Sequence, residues 1–353
     1  MRSAFATLPG FRARPASRQV VVLPVTQARE GTRVDLYVHV LCGREPGPNL
    51  LLLSMLHGNE WFSTVQLMRL LRELDPAELK GTLMVVPVAN PMAFRTHTRV
   101  IIDDSDMPDL NRSFGGPFEW TTNQTARVIA GELMAQADYM VDYHISDWGS
   151  AMNEVSYGED FTDPEVREQS RQLALAYAYL SVNAGPIVSV FPGPASSRGY
   201  AGEVLRVPNI AVEIGGLGFG EEQEEAWTEA TVEGVKNVMR HIGMLDGPVR
   251  RLDRYLIWRN RWRLSPTKGG YLEVLTQGPV PFREVAKGEV MARVIDPTTF
   301  EVLETMASPG RGIVFYWCRD YMVHPGQWAF GIINMEDGRS GWVDGSNAWA
   351  GTY

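Results

Sequence analysis

His57 and Glu60 stand three residues apart, directly after the apolar run at 49–55. An imidazole and a carboxylate at that spacing, turned together beyond a strand end, can serve one cation. The pair reads equally as a strand-end histidine beside a helix-start glutamate that favours the helix dipole. His144 closes a second apolar run, 139–143. It offers a third ligand from a different strand and leaves a fourth tetrahedral position open, as a catalytic metal site requires. The other reading is a hydrogen-bonded histidine at a sheet edge. Asp142 suits either the outer support of a ligand or a solvated turn. Glu213 lies in Val212-Glu213-Ile214-Gly215-Gly216, near the end of a further apolar strand. A carboxylate there is costly to bury unless it is used or paired. It can take a proton from an attacking water and pass it to a leaving group, or pair with an arginine. Arg112, next to Asn111, carries a planar fork that fits a substrate carboxylate. Arg99 is placed to polarise a carbonyl and stabilise an oxyanion. A surface salt bridge is the alternative for either arginine.

Other chemistry is missing or weak. His39, His97, His241 and His324 complete the six histidines. His39 alternates within a strand, His241 lies near a helix end, and His97 and His324 fall in loops, His97 being a possible substrate contact. No P-loop and no G-x-S-x-G elbow occurs. The glycines of 216–220 have the wrong spacing for a dinucleotide fingerprint. Cys42 and Cys318 are too few for a disulfide framework or a thiolate zinc site, and read as free thiols.

These residues need a frame to hold them. The runs 49–55, 82–88, 139–143 and 210–214 read as strands, the first two buried on both faces. Helical patterns fall at 61–74, 124–137, 164–180 and 227–242, and two further strands lie within 20–41. The alternation predicts an α/β fold with a mixed, mostly parallel sheet flanked by helices. Ligands collect beyond the carboxyl ends of such strands, which is where His57, His144 and Glu213 lie. Residues 1–246 read as the catalytic domain and the arginine- and tryptophan-rich stretch 247–264 as a linker. Residues 265–353 read as a small all-β, barrel-like domain ending in a loose tail whose tryptophans could dock.

The chain has 353 residues, enough for a core without staples. Hydrophobic residues at 44% and charged residues at 21% exclude wholesale disorder. A formal net charge of −9 argues against nucleic-acid or anionic-membrane binding, though local arginines still permit an anionic substrate. No run is long enough to span a membrane, and the start lacks a secretory apolar region, so a cytoplasmic protein is expected. A homo-oligomer remains possible.

The ordered set His57-Gly58-Asn59-Glu60, Asn90-Pro91 with Phe94, Arg99, Asp109-Leu110-Asn111-Arg112, Asp142-Tyr143-His144 and Glu213 with Gly215 resembles the succinylglutamate desuccinylase/aspartoacylase family. The likeness spans about residues 50–220. It implies a zinc carboxypeptidase-like fold with one Zn2+ per chain, held by His57, Glu60 and His144. Glu213 would be the general base and acid, Arg99 an oxyanion donor, and Asn111 and Arg112 the grip on a substrate carboxylate. The implied activity is a zinc-dependent amidohydrolase that removes a small acyl group from an N-acyl amino acid or related carboxylate. A metallocarboxypeptidase acting on short peptides and a non-catalytic zinc-binding interaction protein are the alternatives. The motifs around Gly288-Glu289-Val290 and 307–312 resemble the family's C-terminal barrel. Three features depart from the pattern. Asn59 stands where many relatives have aspartate, Ile145-Ser146-Asp147-Trp148-Gly149 replaces the usual small residues after the third ligand, and the acidic stretch from Arg99 to Asn111 is longer than usual. The acidic stretch with Asp103, Asp104 and Asp106 would attract a substrate amino group or simply be solvated. Trp148, Met152 and Tyr157 would line a partly apolar pocket or pack in the core.

Overall fold

Four consecutive leucines, Leu50 to Leu53, are wholly excluded from solvent. A strand that is apolar on both faces must lie mid-sheet with cover on each side. In the computed structural model, residues 5–103, 107–117, 119–146, 148–189, 194–275, 281–319 and 321–351 are described. The leucines lie in β3 (Glu45–Ser54), after β1 (Ser17–Gln27) and β2 (Arg33–Cys42). There follow β4 (Lys80–Val86), β5 (Tyr139–His144), β6 (Ser150–Gly158), β7 (Ser181–Gly185) and β8 (Asn209–Gly215). The main sheet runs β1-β2-β4-β3-β5-β8-β6. β4, β3, β5 and β8 are mutually parallel, β1, β2 and β6 being antiparallel to their neighbours.

Helices cover both faces. On one face lie α1 (Phe62–Glu73), α4 (Pro164–Ala176) and α6 (Glu221–His241). Their residues Leu67, Leu70, Leu173 and Val235 pack against Tyr143, Val155 and Val212 of the sheet. On the other face, α3 (Thr121–Val128) brings Ala126 against Leu51, Leu53 and Met84. The helix expected at 124–137 does not continue as one rod. Past α3 it widens into a π turn, Ile129–Leu133, and tightens into Met134–Gln136. Gly131, a weak helix former, sits in that turn. Local chemistry sets other helix starts. Pro164 opens α4 while the Asp163 side chain accepts from Glu165 N–H. Asn90 and Pro91 do the same for the short α2 (Pro91–Arg95), with Asn90 accepting from Ala93 N–H.

That short helix explains two motifs together. Asn90 Nδ2 donates to the Leu56 carbonyl and so ties α2 to the chain leaving β3. α2 then lies so close that a Cβ on Gly58 would stand 2.2 Å from the Ala93 carbonyl carbon. Only glycine fits at position 58, because a side chain there would push the loop off the helix.

The C-terminal strands are β9 (Arg254–Trp258), β10 (Arg261–Leu264), β11 (Gly270–Val274), β12 (Glu284–Val285) and β13 (Val290–Ile295). After them come β14 (Val302–Ala307), β15 (Gly312–Cys318), β16 (Tyr321–Val323), β17 (Phe330–Asn334) and β18 (Gly341–Asp344). β14, β13, β11 and β16 form a separate four-stranded sheet. β15 instead pairs with β6, and β17 and β10 extend the main sheet beyond it. Half of the arginine- and tryptophan-rich stretch read as a linker is strand, in β9 and β10. Its composition has a use: Arg251 lies 4.3 Å over Trp349 and Arg254 4.4 Å over Trp342. Nor is the end of the chain loose. β18 pairs with β9, and the helix α7 (Gly345–Ala350) follows, its Ala348 and Trp349 carbonyls accepting from the buried Arg171 guanidinium. Cys42 and Cys318 are both buried and unbridged. Among the described residues, no helix is long and apolar enough to cross a membrane.

Candidate metal centre

β3, β5 and β8 are adjacent and parallel, so their carboxyl ends gather at one rim. His57 follows β3, His144 ends β5, and Glu213 pairs with His144 from β8. A cavity of about 220 Å³ opens there. His57, Glu60, Arg99, Asn111, Arg112, His144 and Glu213 all line it, joined by Ile187, Ser196, Arg198 and Ala211.

Glu60 joins the two histidines. Its Oε1 lies 2.7 Å from His57 Nδ1 and its Oε2 2.8 Å from His144 Nδ1. All three residues are more than nine-tenths buried. Each imidazole has a carboxylate on its far side. His57 Nε2 lies 3.1 Å from Asp109 Oδ1, and His144 Nε2 3.2 Å from Asp142 Oδ2. Burial opposes charge on His57, but the Glu60 charge and the bonds to Asp109 and Glu60 hold its pKa above the usual histidine range. The same contest, with Asp142 and Glu60 as the opposing charges, raises His144 further. Burial would raise the Glu60 carboxyl, yet the two imidazoles hold it well below the usual carboxylate range.

A cation fits this arrangement. With both imidazoles charged, the two Nδ1 protons point at one carboxylate, and Asp109 and Asp142 retain the Nε2 protons. Removing the Nδ1 protons leaves two neutral imidazole nitrogens and a carboxylate oxygen, a donor set suited to Zn2+. Ligand atoms of the three residues lie within 4.8 Å of one another. A carboxylate behind each histidine fixes its tautomer and ring plane.

The arginines differ in their settings. Arg99 donates to Asp109 Oδ2 at 3.0 Å, and its Nη1 lies 3.7 Å from Glu60 Oε1. It remains about half exposed, above the ligand carboxylate. Arg112 is at the exposed rim and donates to the Asn111 carbonyl. Asn111 is turned inward, its Nδ2 3.2 Å from His144 Nε2.

Sequence reasoning missed Arg198 in this wall and Glu154 beside Glu213. Arg198 is buried beneath the cavity, donating to Asn209 Oδ1, Ser156 Oγ and the Ser156 carbonyl. Burial pulls its pKa down to about 10, so it stays charged at neutral pH. Glu154 lies directly opposite Glu213 in the β6–β8 register and is 6% exposed. Burial raises both carboxyls; the Glu213 charge adds to the rise on Glu154, and the Glu60 charge to that on Glu213. Neither has a salt bridge within 4.0 Å among the described residues. No spacing in the sequence marks Arg198 or Glu154, because long-range strand pairing and packing bring them in.

The remaining candidates lie elsewhere. His97 is exposed and contacts Phe94, His39 is half-buried on β2, His241 packs on Trp349, and His324 is exposed. Tyr157 is in the core, Met152 packs partly buried against it, and Trp148 is 60% exposed, so none of the three lines the cavity. Asp104, Asp106 and Asp147 lie outside the described residues, and Asp103 is exposed.

Residues 46–242 match the family model for the succinylglutamate desuccinylase/aspartoacylase catalytic domain. Among curated proteins, the chain is 26% identical over 295 residues to N-alpha-acetyl-L-2,4-diaminobutyric acid deacetylase of Halomonas elongata, covering 82% of each. Among solved structures, a succinylglutamate desuccinylase/aspartoacylase from Rhodobacter sphaeroides aligns with a TM-score of 0.75 at 20% identity, covering 91% of this chain and 96% of that one. The product-bound ectoine utilization protein EutE of Ruegeria pomeroyi also gives 0.75, at 21% identity, covering 90% and 95%. At such identity these structures establish a shared fold.

The raised carboxyl of Glu154 has a consequence for stability. Its ionisation is harder in the folded chain than in the unfolded one. The contribution of this group to stability is therefore fully present below the ordinary carboxylate range and is lost as pH rises through the raised pKa. Glu154→Gln keeps an acceptor for Asn183 Nδ2 and removes that loss. Urea denaturation should find the two proteins equal near pH ~4 and the variant more stable by roughly 1–3 kcal/mol near pH ~8. A wild-type advantage at the higher pH would contradict the assignment.

Proposed function

The chain belongs to the succinylglutamate desuccinylase/aspartoacylase family, and from that premise we propose that it is a zinc-dependent hydrolase. It removes a short acyl group from the nitrogen of an N-acyl amino acid or a related small carboxylate. One observation carries the reading: the imidazole, carboxylate and imidazole of His57, Glu60 and His144 converge in a cavity whose wall holds Glu213. The Halomonas relative, a deacetylase of an N-acetyl amino acid by name, supports the substrate class.

When bound, a zinc ion would supply Lewis acidity, polarising a carbonyl and lowering the pKa of water. His57, Glu60 and His144 would hold it, with Asp109 and Asp142 keeping each ring in the right tautomer. Glu213 accepts the proton of the attacking water on its carboxylate. Its burial raises its basicity above that of an ordinary glutamate, which suits it to return that proton to the departing amine nitrogen. Arg99 donates N–H groups toward the carbonyl oxygen as negative charge develops. Arg112 orients the substrate through a carboxylate, using the two-pronged geometry of guanidinium. Ile187 and Ala211 give the cavity an apolar patch. Asp160 fixes the Ile187 segment by accepting from the N–H groups of Ile187, Val188 and Ser189.

The test is mass-spectrometric detection of products from a panel of N-acetyl, N-succinyl and other N-acyl amino acids, with a tripeptide for comparison. Glu213→Gln should keep its zinc and lose about 10²- to 10⁴-fold in kcat. Near-normal turnover in that variant would remove Glu213 from the mechanism. Arg112→Ala should raise KM for a carboxylate-bearing substrate about 10- to 100-fold while changing kcat much less. A flat KM would mean that the carboxylate is held elsewhere. Faster cleavage of the tripeptide than of every acyl amino acid would favour a peptidase.

A further inference from the structure

Behind His144 lies a buried hydrogen-bonded chain that ends on a serine. Ser197, in the single turn α5 (Ser197–Gly199), is wholly excluded from solvent. Its hydroxyl makes a short bond to Asp142 Oδ2. Its backbone N–H donates to Asn111 Oδ1 at 2.9 Å, and its Oγ lies 3.1 Å from that same oxygen. A hydroxyl has one proton to give, and a bond to a carboxylate is stronger than one to an amide. The proton therefore belongs to Asp142, while the backbone N–H serves Asn111.

Asp142 depends on this contact. It is fully buried on β5, and its Oδ2 faces His144 Nε2 at 3.2 Å. Its Oδ1 has no hydrogen-bond partner among the described residues. Both contacts fall on Oδ2, so the Ser197 hydroxyl and His144 together fix where that oxygen lies. The turn itself does not need this hydroxyl. Ser196 caps it, accepting from Gly199 N–H at 3.0 Å. A buried hydroxyl that serves no local backbone, and instead reaches a carboxylate 55 residues away, is spent on the site.

We propose that Ser197 is a positioning residue of the metal centre: it fixes the Asp142 carboxylate, and through it the plane of the His144 ring. The assignment rests on the reading of His57, Glu60 and His144 as metal ligands. It gives the segment carrying Ser197 and Arg198 a role in metal affinity as well as in lining the cavity.

Zinc itself is the probe. Metal-free full-length protein is titrated with Zn2+ in competition with a chromophoric chelator, and the thermal unfolding of each metal-free protein is recorded beside it. Ser197→Ala should melt like the wild type without metal and bind zinc about 10- to 100-fold more weakly, the range for losing the outer support of a ligand. Ser197→Thr, which keeps the hydroxyl, should restore affinity. Equal zinc affinity in wild type and Ser197→Ala overturns the proposal while leaving the metal reading intact. Absence of saturable zinc binding in the wild type overturns both. Should Ser197→Ala lose its cooperative unfolding, Ser197→Thr and Ser197→Val decide the matter, since they share a shape and differ in the hydroxyl. Weaker binding by the valine variant supports the role, and equal binding by the two removes it.

Discussion

The centre of this protein depends on one carboxylate shared by two imidazoles. Glu60 lies 2.7 Å from one Nδ1 and 2.8 Å from the other, in a setting nearly closed to water. Three ionisable groups are expensive to bury apart and tolerable together, because each supplies what the others lack. Bringing them together requires the parallel arrangement of β3 and β5, whose carboxyl ends must lie side by side. It also requires the loop after β3 to reverse tightly against α2, which is why glycine stands at position 58. The same constraint explains the carboxylates behind the histidines. Asp109 and Asp142 each face an Nε2, which leaves both Nδ1 atoms facing inward to Glu60.

The main sheet has two unlike faces in this region. On β5, β6 and β8, Tyr143, Val155 and Val212 point into a dry core. Their alternates Asp142, Glu154, Ser156 and Glu213 lie on the opposite face near Arg198, with Glu213 in the cavity wall. One face binds the helices by burial of apolar surface. The other is a polar layer in which Arg198 is surrounded by carboxylates and Glu213 and Glu154 lie opposite each other. A single strand thus joins core and site, and strand pairing also fixes the placing of Glu213. β6 extends this further, since the C-terminal strands enter the main sheet through its outer edge.

Residues whose surroundings are local were legible in the sequence. The central strands announce themselves as unbroken apolar runs, because a parallel strand covered on both faces has no polar side to show. His57, Glu60, His144 and Glu213 lie in short motifs at or just past strand ends, Asn111 and the two arginines lie in the segments between β4 and β5, and all seven line the same cavity. β6 and β7 were not legible. Asn153, Glu154 and Ser156 within β6 look like loop chemistry, and only burial beside β8 makes them strand. Arg198 and Ser197 fall in a short turn with no periodic pattern, and their partners lie far away in the chain. The arginine- and tryptophan-rich stretch was legible only as a linker by composition; that its cations lie over aromatic rings from residues 342 and 349 depends on long-range pairing.

The most direct measurement is titration calorimetry of zinc into the metal-free protein, repeated in buffers of different ionisation enthalpy. If Glu60 faces two protonated imidazoles, binding must expel their Nδ1 protons. The account predicts one saturable site per chain and release of roughly one to two protons per zinc near neutral pH, with binding abolished by Glu60→Ala. Zinc taken up without proton release, or held equally well by Glu60→Ala, would contradict it.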